Sequence, residues 1–275
     1  MPELPEVERA ATLLRGAVKG ATIERVQLTH PSLRRRVTPR VLRSLRGARV
    51  RDVERRGKHQ LIHLDDGRVM HVHFRMNGDW EVGRADDPLP RFARAIVNLS
   101  TGTRVVLNDS RALSTFDVHP ASAPPELGLG PEPADPALTA EYLRDALSGR
   151  RVPIKVALLD QRVIAGLGNI YSSEALWRAR LDPRRRAHAL QLAELRRLLR
   201  AVRSVIARAS GTRYSDGAAR FDVYDRAGRP CRRCRTPISR VVQAGRSTYF
   251  CPHCQVTAAP VRRAQSRAST SAALR

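Results

Sequence analysis

The stretch CRRCRTPISRVVQAGRSTYFCPHC, residues 231–254, holds all four cysteines of this chain as two Cys-x2-Cys pairs. Two pairs at this spacing are typical of a tetrahedral four-thiolate zinc site. Residues 238–244 and 247–250 predict two strands joined by Gly245-Arg246. The stretch therefore predicts a β-hairpin finger with one structural Zn²⁺, and the predicted ligands are Cys231, Cys234, Cys251 and Cys254.

The charge of the chain predicts a polyanionic partner. Residues 151–275 hold 26 Lys/Arg against 7 Asp/Glu, and the formal net charge of the whole chain is +24. Nucleic acid and acidic membrane both attract such a charge. No apolar run approaches the ~20 residues that span a bilayer, and the N-terminus lacks the pattern of a signal peptide. We therefore expect a cytoplasmic protein that binds nucleic acid.

The hydrophobic pattern changes along the chain. Apolar spacing over residues 5–18 predicts one amphipathic helix, and residues 21–110 predict short strands with hairpin turns at 65–67 and 100–102. A proline-rich stretch follows and predicts an interdomain linker. Beyond it, four helices are predicted at 138–147, 153–163, 171–179 and 190–209. Together these patterns predict a multidomain α+β protein. Its expected divisions are 1–117, a linker at 118–136, 137–220, 221–255 and a disordered basic tail at 256–275.

The N-terminal residues Pro2 and Glu3 allow two interpretations. Removal of Met1 would leave a secondary amine, and α-amino groups have a pKa of about 7.7–8.0, so part of the population is nucleophilic near neutral pH. Such an amine can attack an electrophilic sugar carbon while the adjacent carboxylate moves the accompanying protons. The alternative is that Pro2 and Glu3 only begin the first helix. Taken alone, the two residues favour the second interpretation, because many proteins begin with Met-Pro.

Five motifs in order resemble the Fpg/Nei family of DNA glycosylases (formamidopyrimidine-DNA glycosylase and endonuclease VIII). The motifs are Met1-Pro-Glu-Leu-Pro-Glu-Val-Glu8, Gly57-Lys58, His73-Phe-Arg-Met-Asn-Gly78, Gly166-Leu-Gly-Asn-Ile-Tyr171 and the cysteine quartet. The resemblance covers roughly residues 2–255. It implies an N-terminal β-sandwich domain, a helix-two-turns-helix domain and a zinc finger, with damaged DNA bound between them.

The resemblance implies a catalytic role for four residues near the N-terminus. Pro2 is the expected Schiff-base nucleophile, and Glu3 the acid that opens the sugar ring and moves protons. Glu6 is a second carboxylate, with a structural or catalytic role. Lys58 is expected to meet a phosphate near the lesion and to support catalysis.

It also implies contacts with DNA. Asn169 and Arg246 are expected to hold the phosphates around the everted nucleotide, and His73 is expected to lie beside another phosphate. Lys155 matches a basic residue at the start of a helix near the DNA. The whole set of expected DNA-contacting residues is His73, Met76, Arg111, Leu113, Lys155, Asn169 and Arg246.

Three of those residues face the bases, and the sequence departs from the family pattern around them. Met76 resembles the wedge that fills the gap left by the everted base, and Arg111 the side chain that faces the orphaned partner. Leu113 stands where an aromatic wedge is usual, and Arg75 stands where glycine is usual. The change at Leu113 is expected to weaken discrimination of the opposite base, and the change at Arg75 adds charge where the strand is expected to approach DNA.

The expected function is a bifunctional DNA glycosylase/AP lyase of base excision repair that acts on formamidopyrimidine and 8-oxoguanine lesions. It would work as a monomer on double-stranded DNA, in the cytoplasm at the nucleoid, without binding membrane. One alternative is an endonuclease VIII-like enzyme for oxidised pyrimidines, which the short segment 215–221 favours. Residues 168–176 favour the formamidopyrimidine branch. A non-catalytic zinc-finger protein that binds damaged DNA, or an RNA-binding protein, would explain the charge but not Pro2, Glu3 and Lys58.

Overall fold

The first helix carries the N-terminus into the interior of the protein. The computed structural model describes residues 2–211 and 221–256, so the predicted tail beyond Val256 and most of segment 215–221 lie outside the described residues. Helix α1 spans Leu4–Val18 and begins with a capping box between Glu3 and Glu6. Its apolar residues recur at helical spacing and form one buried face, as the sequence predicts.

The β domain consists of two four-stranded antiparallel sheets. One has the strand order β1-β6-β7-β5 and the other β2-β3-β4-β8. The strands are β1 (Ile23–Leu28), β2 (Val50–Arg56), β3 (His59–Leu64), β4 (Val69–His73), β5 (Asp79–Arg84), β6 (Ala93–Leu99), β7 (Thr103–Asn108) and β8 (Thr115–His119). The inner faces of both sheets and the buried face of α1 share one hydrophobic core. The fold is therefore a β-sandwich with a flanking helix, and the predicted turns at 65–67 and 100–102 join β3 to β4 and β6 to β7.

Sequence analysis did not identify strands β2, β5 and β8. It also did not identify two short helices, α2 (Pro31–Arg34) and α3 (Pro39–Ser44). Strand β2 buries Val50 and Val53, which are three residues apart. A register shift between Val50 and Asp52 produces this spacing. A bulge of this kind breaks the alternation by which strands are recognised in a sequence.

The helical domain has its own core. Its helices are α4 (Ala140–Leu147), α5 (Ile154–Ala157), α6 (Asn169–Arg178) and α7 (Leu192–Arg208), with a 3₁₀ helix at Ala187–Ala189. The helix predicted over 153–163 is wrong in extent, because α5 ends at Ala157. The Asp160 carboxylate accepts from the Arg162 backbone N–H at 3.0 Å, a local bond that competes with helix continuation.

The segment that joins the two domains, 118–136 in the sequence prediction, is docked on both of them. The Glu132 carboxylate accepts from the Arg55 guanidinium at 2.6 and 2.8 Å and from the Gly57 N–H at 2.6 Å. On the helical side, the Gly130 N–H donates to the Gln161 carbonyl at 3.0 Å. These contacts hold the β domain and the helical domain in one arrangement.

The last described element is the predicted β-hairpin. Strands β9 (Ser239–Gln243) and β10 (Arg246–Phe250) pair in antiparallel register. Ala244 and Gly245 form the turn, both with positive φ, and Arg246 is the first residue after it. With the sandwich and the helical domain, this finger confirms the expected multidomain α+β fold.

Candidate active site

Glu3 lies where the N-terminus meets helix α6. It is fully buried, and its carboxylate accepts from the Ile170 N–H at 2.8 Å and the Tyr171 N–H at 3.3 Å. Both N–H groups belong to the first turn of α6, where the backbone supplies no helical acceptor and the helix dipole favours negative charge. Burial nevertheless raises the pKa of Glu3, and it outweighs the lowering by Lys58 and the two backbone N–H groups. A buried carboxyl with a raised pKa is suited to donate a proton near neutral pH.

Glu6 fixes the backbone beside the N-terminus. One of its oxygens accepts from the Glu3 N–H at 3.0 Å, and the other accepts from the Tyr171 hydroxyl at 2.6 Å. All three groups are buried. Glu6 therefore ties α1 to α6 and sets the direction in which Pro2 leaves the helix.

Lys58 lies against Glu3 and Gly168. A Cβ atom built on Gly168 would lie 2.5 Å from both the Glu3 Cδ and the Lys58 Nζ. Burial lowers the pKa of Lys58, Glu3 raises it, and the charge of Arg246 lowers it further. A side chain at position 168 would therefore displace the end of Glu3 or of Lys58 from this contact.

Pro2 lines a cleft between the N-terminus and the turn that carries Met76. The cleft has a volume of about 140 Å³, and its lining residues are Pro2, Glu6, Arg9, Phe74, Asn77, Gly78 and Asp79. Arg9 crosses it and donates to the Asp79 carboxylate at 2.6 Å. The expected nucleophile thus shares this cleft with Asn77 and Gly78, the two residues that follow the expected wedge Met76 in the sequence.

Asn169 connects the helical domain with the finger. Its side-chain N–H donates to the Ser247 carbonyl of β10 at 3.1 Å. Lys155 is fully buried beneath it and donates to the Asn169 side-chain oxygen and, at 3.1 Å, to the Thr248 hydroxyl. In this position Lys155 holds Asn169 against β10 and does not reach the surface. Arg246 is exposed, and its charge lowers the pKa of both Lys58 and Lys155, so it lies on the same side of the molecule.

Two adjoining loops present the three residues expected to face the bases. The buried carboxylate of Asp109 accepts from the backbone N–H groups of Arg111, Leu113 and Ser114 at 2.8–3.0 Å. This arrangement fixes the loop and leaves Arg111 exposed and Leu113 45% exposed.

The second loop is braced against the first and presents Met76. The Asn77 amide donates to the Ser110 hydroxyl at 2.6 Å, and the Ser114 hydroxyl donates to the Phe74 carbonyl at 3.1 Å. Met76 is 37% exposed. His73, at the end of β4, accepts the Arg75 N–H on its Nδ1 at 2.9 Å.

The four cysteine sulfurs lie within 4.8 Å of one another. The Cys231–Cys254 and Cys234–Cys251 Sγ distances are 3.9 and 3.4 Å. Sulfurs placed tetrahedrally at about 2.3 Å from one ion are separated by distances of this size, so the residues fit a single zinc. The finger is a structural zinc site, and its position behind β10 supports Ser247 and Thr248.

Sequence analysis assigned no role to Tyr171. It indicated that backbone amides of the turn before α6 could meet a phosphate, and it did not predict that the amides of Ile170 and Tyr171 bind Glu3. Tyr171 entered the sequence analysis only as the last residue of the Gly166–Tyr171 motif. Its hydroxyl reaches Glu6, 165 positions earlier in the sequence, and no local pattern predicts a contact of that span. Ser247 and Thr248 were missed for the same reason.

The sandwich, the helical domain and the four-cysteine finger enclose this site in the arrangement of a DNA glycosylase family. Residues 1–116 match the formamidopyrimidine-DNA glycosylase N-terminal domain, 129–216 its H2TH domain, and 228–256 the zinc finger found in FPG and IleRS. Formamidopyrimidine-DNA glycosylase of Paracoccus denitrificans is 41% identical over 280 residues, covering 93% of this chain and 100% of that protein. The Novosphingobium aromaticivorans enzyme is 38% identical over 272 residues, with the same coverage. The chain therefore belongs to the formamidopyrimidine-DNA glycosylase family.

Solved structures show the same fold. MutM in complex with DNA that contains carbocyclic 8-oxo-G has a TM-score of 0.85 at 28% identity. A Lactococcus lactis FPG mutant bound to Fapy-dG DNA has a TM-score of 0.85 at 26% identity. Each comparison covers 93% of this chain and 100% of the other.

Proposed function

We propose that this protein is a bifunctional DNA glycosylase/AP lyase that excises oxidised purines of the formamidopyrimidine and 8-oxoguanine type and then nicks the strand. The observation that carries the proposal is the buried Glu3 carboxyl. It meets Lys58 and the first turn of α6 one residue from Pro2. Burial of a carboxyl at a helix N-terminus is costly, and a proton-transfer role accounts for it. The names of the relatives favour the purine branch over endonuclease VIII-like activity.

Binding comes first, because a base within the duplex hides its glycosidic carbon. Eversion of the nucleotide costs a few kcal/mol, which wedges and phosphate contacts offset. In this proposal Met76 and Leu113 fill the gap, and Arg111 faces the orphaned base. Asn169 and Arg246 hold the backbone beside the everted nucleotide.

The chemistry follows from a free Pro2 amine. Its lone pair attacks C1′, the damaged base leaves, and Glu3 supplies a proton to the sugar-ring oxygen, so that the ring opens to an iminium. The iminium acidifies the C2′ proton. Removal of that proton expels the 3′ phosphate by β-elimination, and δ-elimination then expels the 5′ phosphate. Lys58 stabilises negative charge near the reacting sugar, and the zinc remains structural.

Borohydride reduction of the enzyme on DNA that carries an abasic site tests the proposal. A covalent adduct should form and map to the N-terminal peptide, and the Pro2→Gly variant should lose most of it. Intact mass should show that Met1 is absent, because an amide nitrogen at Pro2 cannot form the imine. The Lys19→Arg variant is the control, since the Lys19 ammonium lies 3.3 Å from Asp52 at the other end of α1. Tight binding without an adduct would instead support a non-catalytic damage-binding protein.

We place the protein in the cytoplasm at the nucleoid, where its DNA substrate lies. No helix within the described residues is long and apolar enough to cross a membrane. The relatives named above are bacterial proteins. The high net charge supports association with DNA at physiological salt.

A further inference from the structure

Arg75 occupies a backbone conformation that is unfavourable for arginine. Its φ is +55°, in the left-handed region that glycine adopts without strain. The surrounding bonds impose this conformation, because the Gly78 N–H donates to the Phe74 carbonyl at 3.3 Å and the Arg75 N–H donates to His73. A side chain kept at a strained position beside an active site indicates a function for that side chain.

The Arg75 guanidinium has no anion to pair with in the part of the chain that the structure describes. The side chain is exposed, and no ion pair or side-chain hydrogen bond of the described residues involves it. Its nearest ionisable neighbours include three histidines on β3 and β4, and the His59 and His73 rings lie 4.7 Å apart. Burial, and then the neighbouring charges including that of Arg75, lower the pKa of His59 to about 4 and of His73 to about 3. The imidazoles are therefore neutral at physiological pH. A neutral or protonated imidazole cannot balance a positive charge, so the charge of Arg75 is left for an anion from outside the described residues.

The position of Arg75 indicates which anion it takes. In the sequence it lies between His73, expected beside a DNA phosphate, and Met76, expected in the base stack. In space its charge acts on the cluster formed by His59, His71 and His73, at the end of β4 and close to Lys58. We infer that Arg75 binds a phosphate of the DNA backbone next to the everted nucleotide. This inference rests on the proposed function, in which lesion DNA lies over this face.

The test compares Arg75→Gly with Arg180→Gly. Arg180 is also exposed and has the same φ of +55°, so both variants lose one positive charge and both relieve a left-handed backbone. Arg180 follows the C-terminus of α6, about 15 Å along the helix from Asn169. The Arg180→Gly variant therefore controls for the loss of one positive charge and for the removal of backbone strain.

Affinity should be measured by fluorescence anisotropy on a duplex with a tetrahydrofuran abasic analogue, over a range of salt concentrations. The logarithm of the binding constant falls linearly with log[salt], and loss of one phosphate contact makes this slope less steep by about 0.9. The change corresponds to about eightfold weaker binding at 0.1 M salt. We expect this change for Arg75→Gly, a wild-type slope for Arg180→Gly, and a wild-type slope for Arg75→Lys.

Single methylphosphonate substitutions identify the phosphate. Neutralising the phosphate that Arg75 contacts should weaken the wild-type protein but have little effect on Arg75→Gly, because the interaction is already absent there. Equal slopes for Arg75→Gly and wild type would overturn the inference. The inference would also be overturned if the slope stayed unchanged and the preference for the opposite base changed, since Arg75 would then contact a base and not a phosphate.

Borohydride trapping of the wild-type protein and of Arg180→Gly on abasic DNA reports the proposed function separately. If adducts form and the salt slope of Arg75→Gly equals that of wild type, the inference about Arg75 is wrong while the proposed function stands. If no adduct forms on tightly bound DNA, the proposed function fails, whatever the slopes show.

Discussion

Replacement of Gly168 by alanine tests the central contact of the site. Gly168 precedes α6 and has ordinary extended backbone, with φ of −137°, so alanine introduces no backbone strain. Its methyl group, however, would lie 2.5 Å from the Glu3 Cδ, 2.5 Å from the Lys58 Nζ and 2.6 Å from the Glu3 Oε1. These three atoms belong to the two side chains on which the proposed proton transfers depend.

The size of the effect follows from these distances. Non-bonded carbon atoms prefer a separation of about 3.5–4.0 Å, so the ends of the Glu3 and Lys58 side chains, or the start of α6, must move by about 1 Å. Displacement of that size at a reacting group costs about a hundredfold in rate. Overpacking of a buried site destabilises a protein by about 1–3 kcal/mol, so the melting temperature should fall by only a few degrees. The variant is therefore expected to be folded and nearly inactive.

The assay is single-turnover excision from a duplex with one 8-oxoguanine, with enzyme in excess, beside thermal unfolding of the same samples. Gly149→Ala is the matched control. Gly149 lies in the same domain, and a Cβ there would have no atom within 4 Å. The control should retain the wild-type rate within about twofold.

A wild-type excision rate in Gly168→Ala would refute the reasoning, because it would show that Glu3 and Lys58 need not meet at this point. An equal loss in Gly149→Ala would also refute it, since the loss would then come from alanine in the helical domain generally.

Three further predictions concern the supports of the site. Tyr171→Phe removes a 2.6 Å hydrogen bond to the buried Glu6 and should lower the free energy of unfolding by about 1–3 kcal/mol and slow excision. Urea unfolding and single-turnover rates check this, and unchanged values would contradict it. Stability should fall as the pH drops from about 6.5 through about 4. The reason is that His59, whose pKa is lowered to about 4 mainly by burial, stays neutral in the folded protein at pH values where the unfolded chain binds the proton. His59→Gln should flatten that dependence, and a curve identical to wild type would exclude His59 as its source. Removal of zinc should abolish DNA binding, because β10 loses its support and with it the Ser247 contact to Asn169. Metal release followed by absorbance, beside anisotropy, checks this, and full affinity in metal-free protein would contradict it.

Sequence patterns were informative where the relevant interaction is local. The Cys-x2-Cys pairs predicted the metal site because two residues of spacing suffice to point two thiolates at one ion. The helix α1 and the hairpin turns followed from apolar period and turn residues for the same reason. The sequence pattern did not predict where α5 ends or that strand β2 exists. Asp160 caps its own turn, and a bulge in β2 disrupts the alternation.

The sequence by itself determined the chemical groups of this protein: a proline and a glutamate at the start, one lysine at position 58, four thiolates and a basic second half. Only the tertiary structure decided how those groups act. It buries Glu3 against amides 167 and 168 positions away, and it places Lys155, fully buried, beneath Asn169. The physical reason is that burial and electrostatic contact depend on distances in space, which the packing of α1, α6 and the finger creates and which local sequence spacing does not encode.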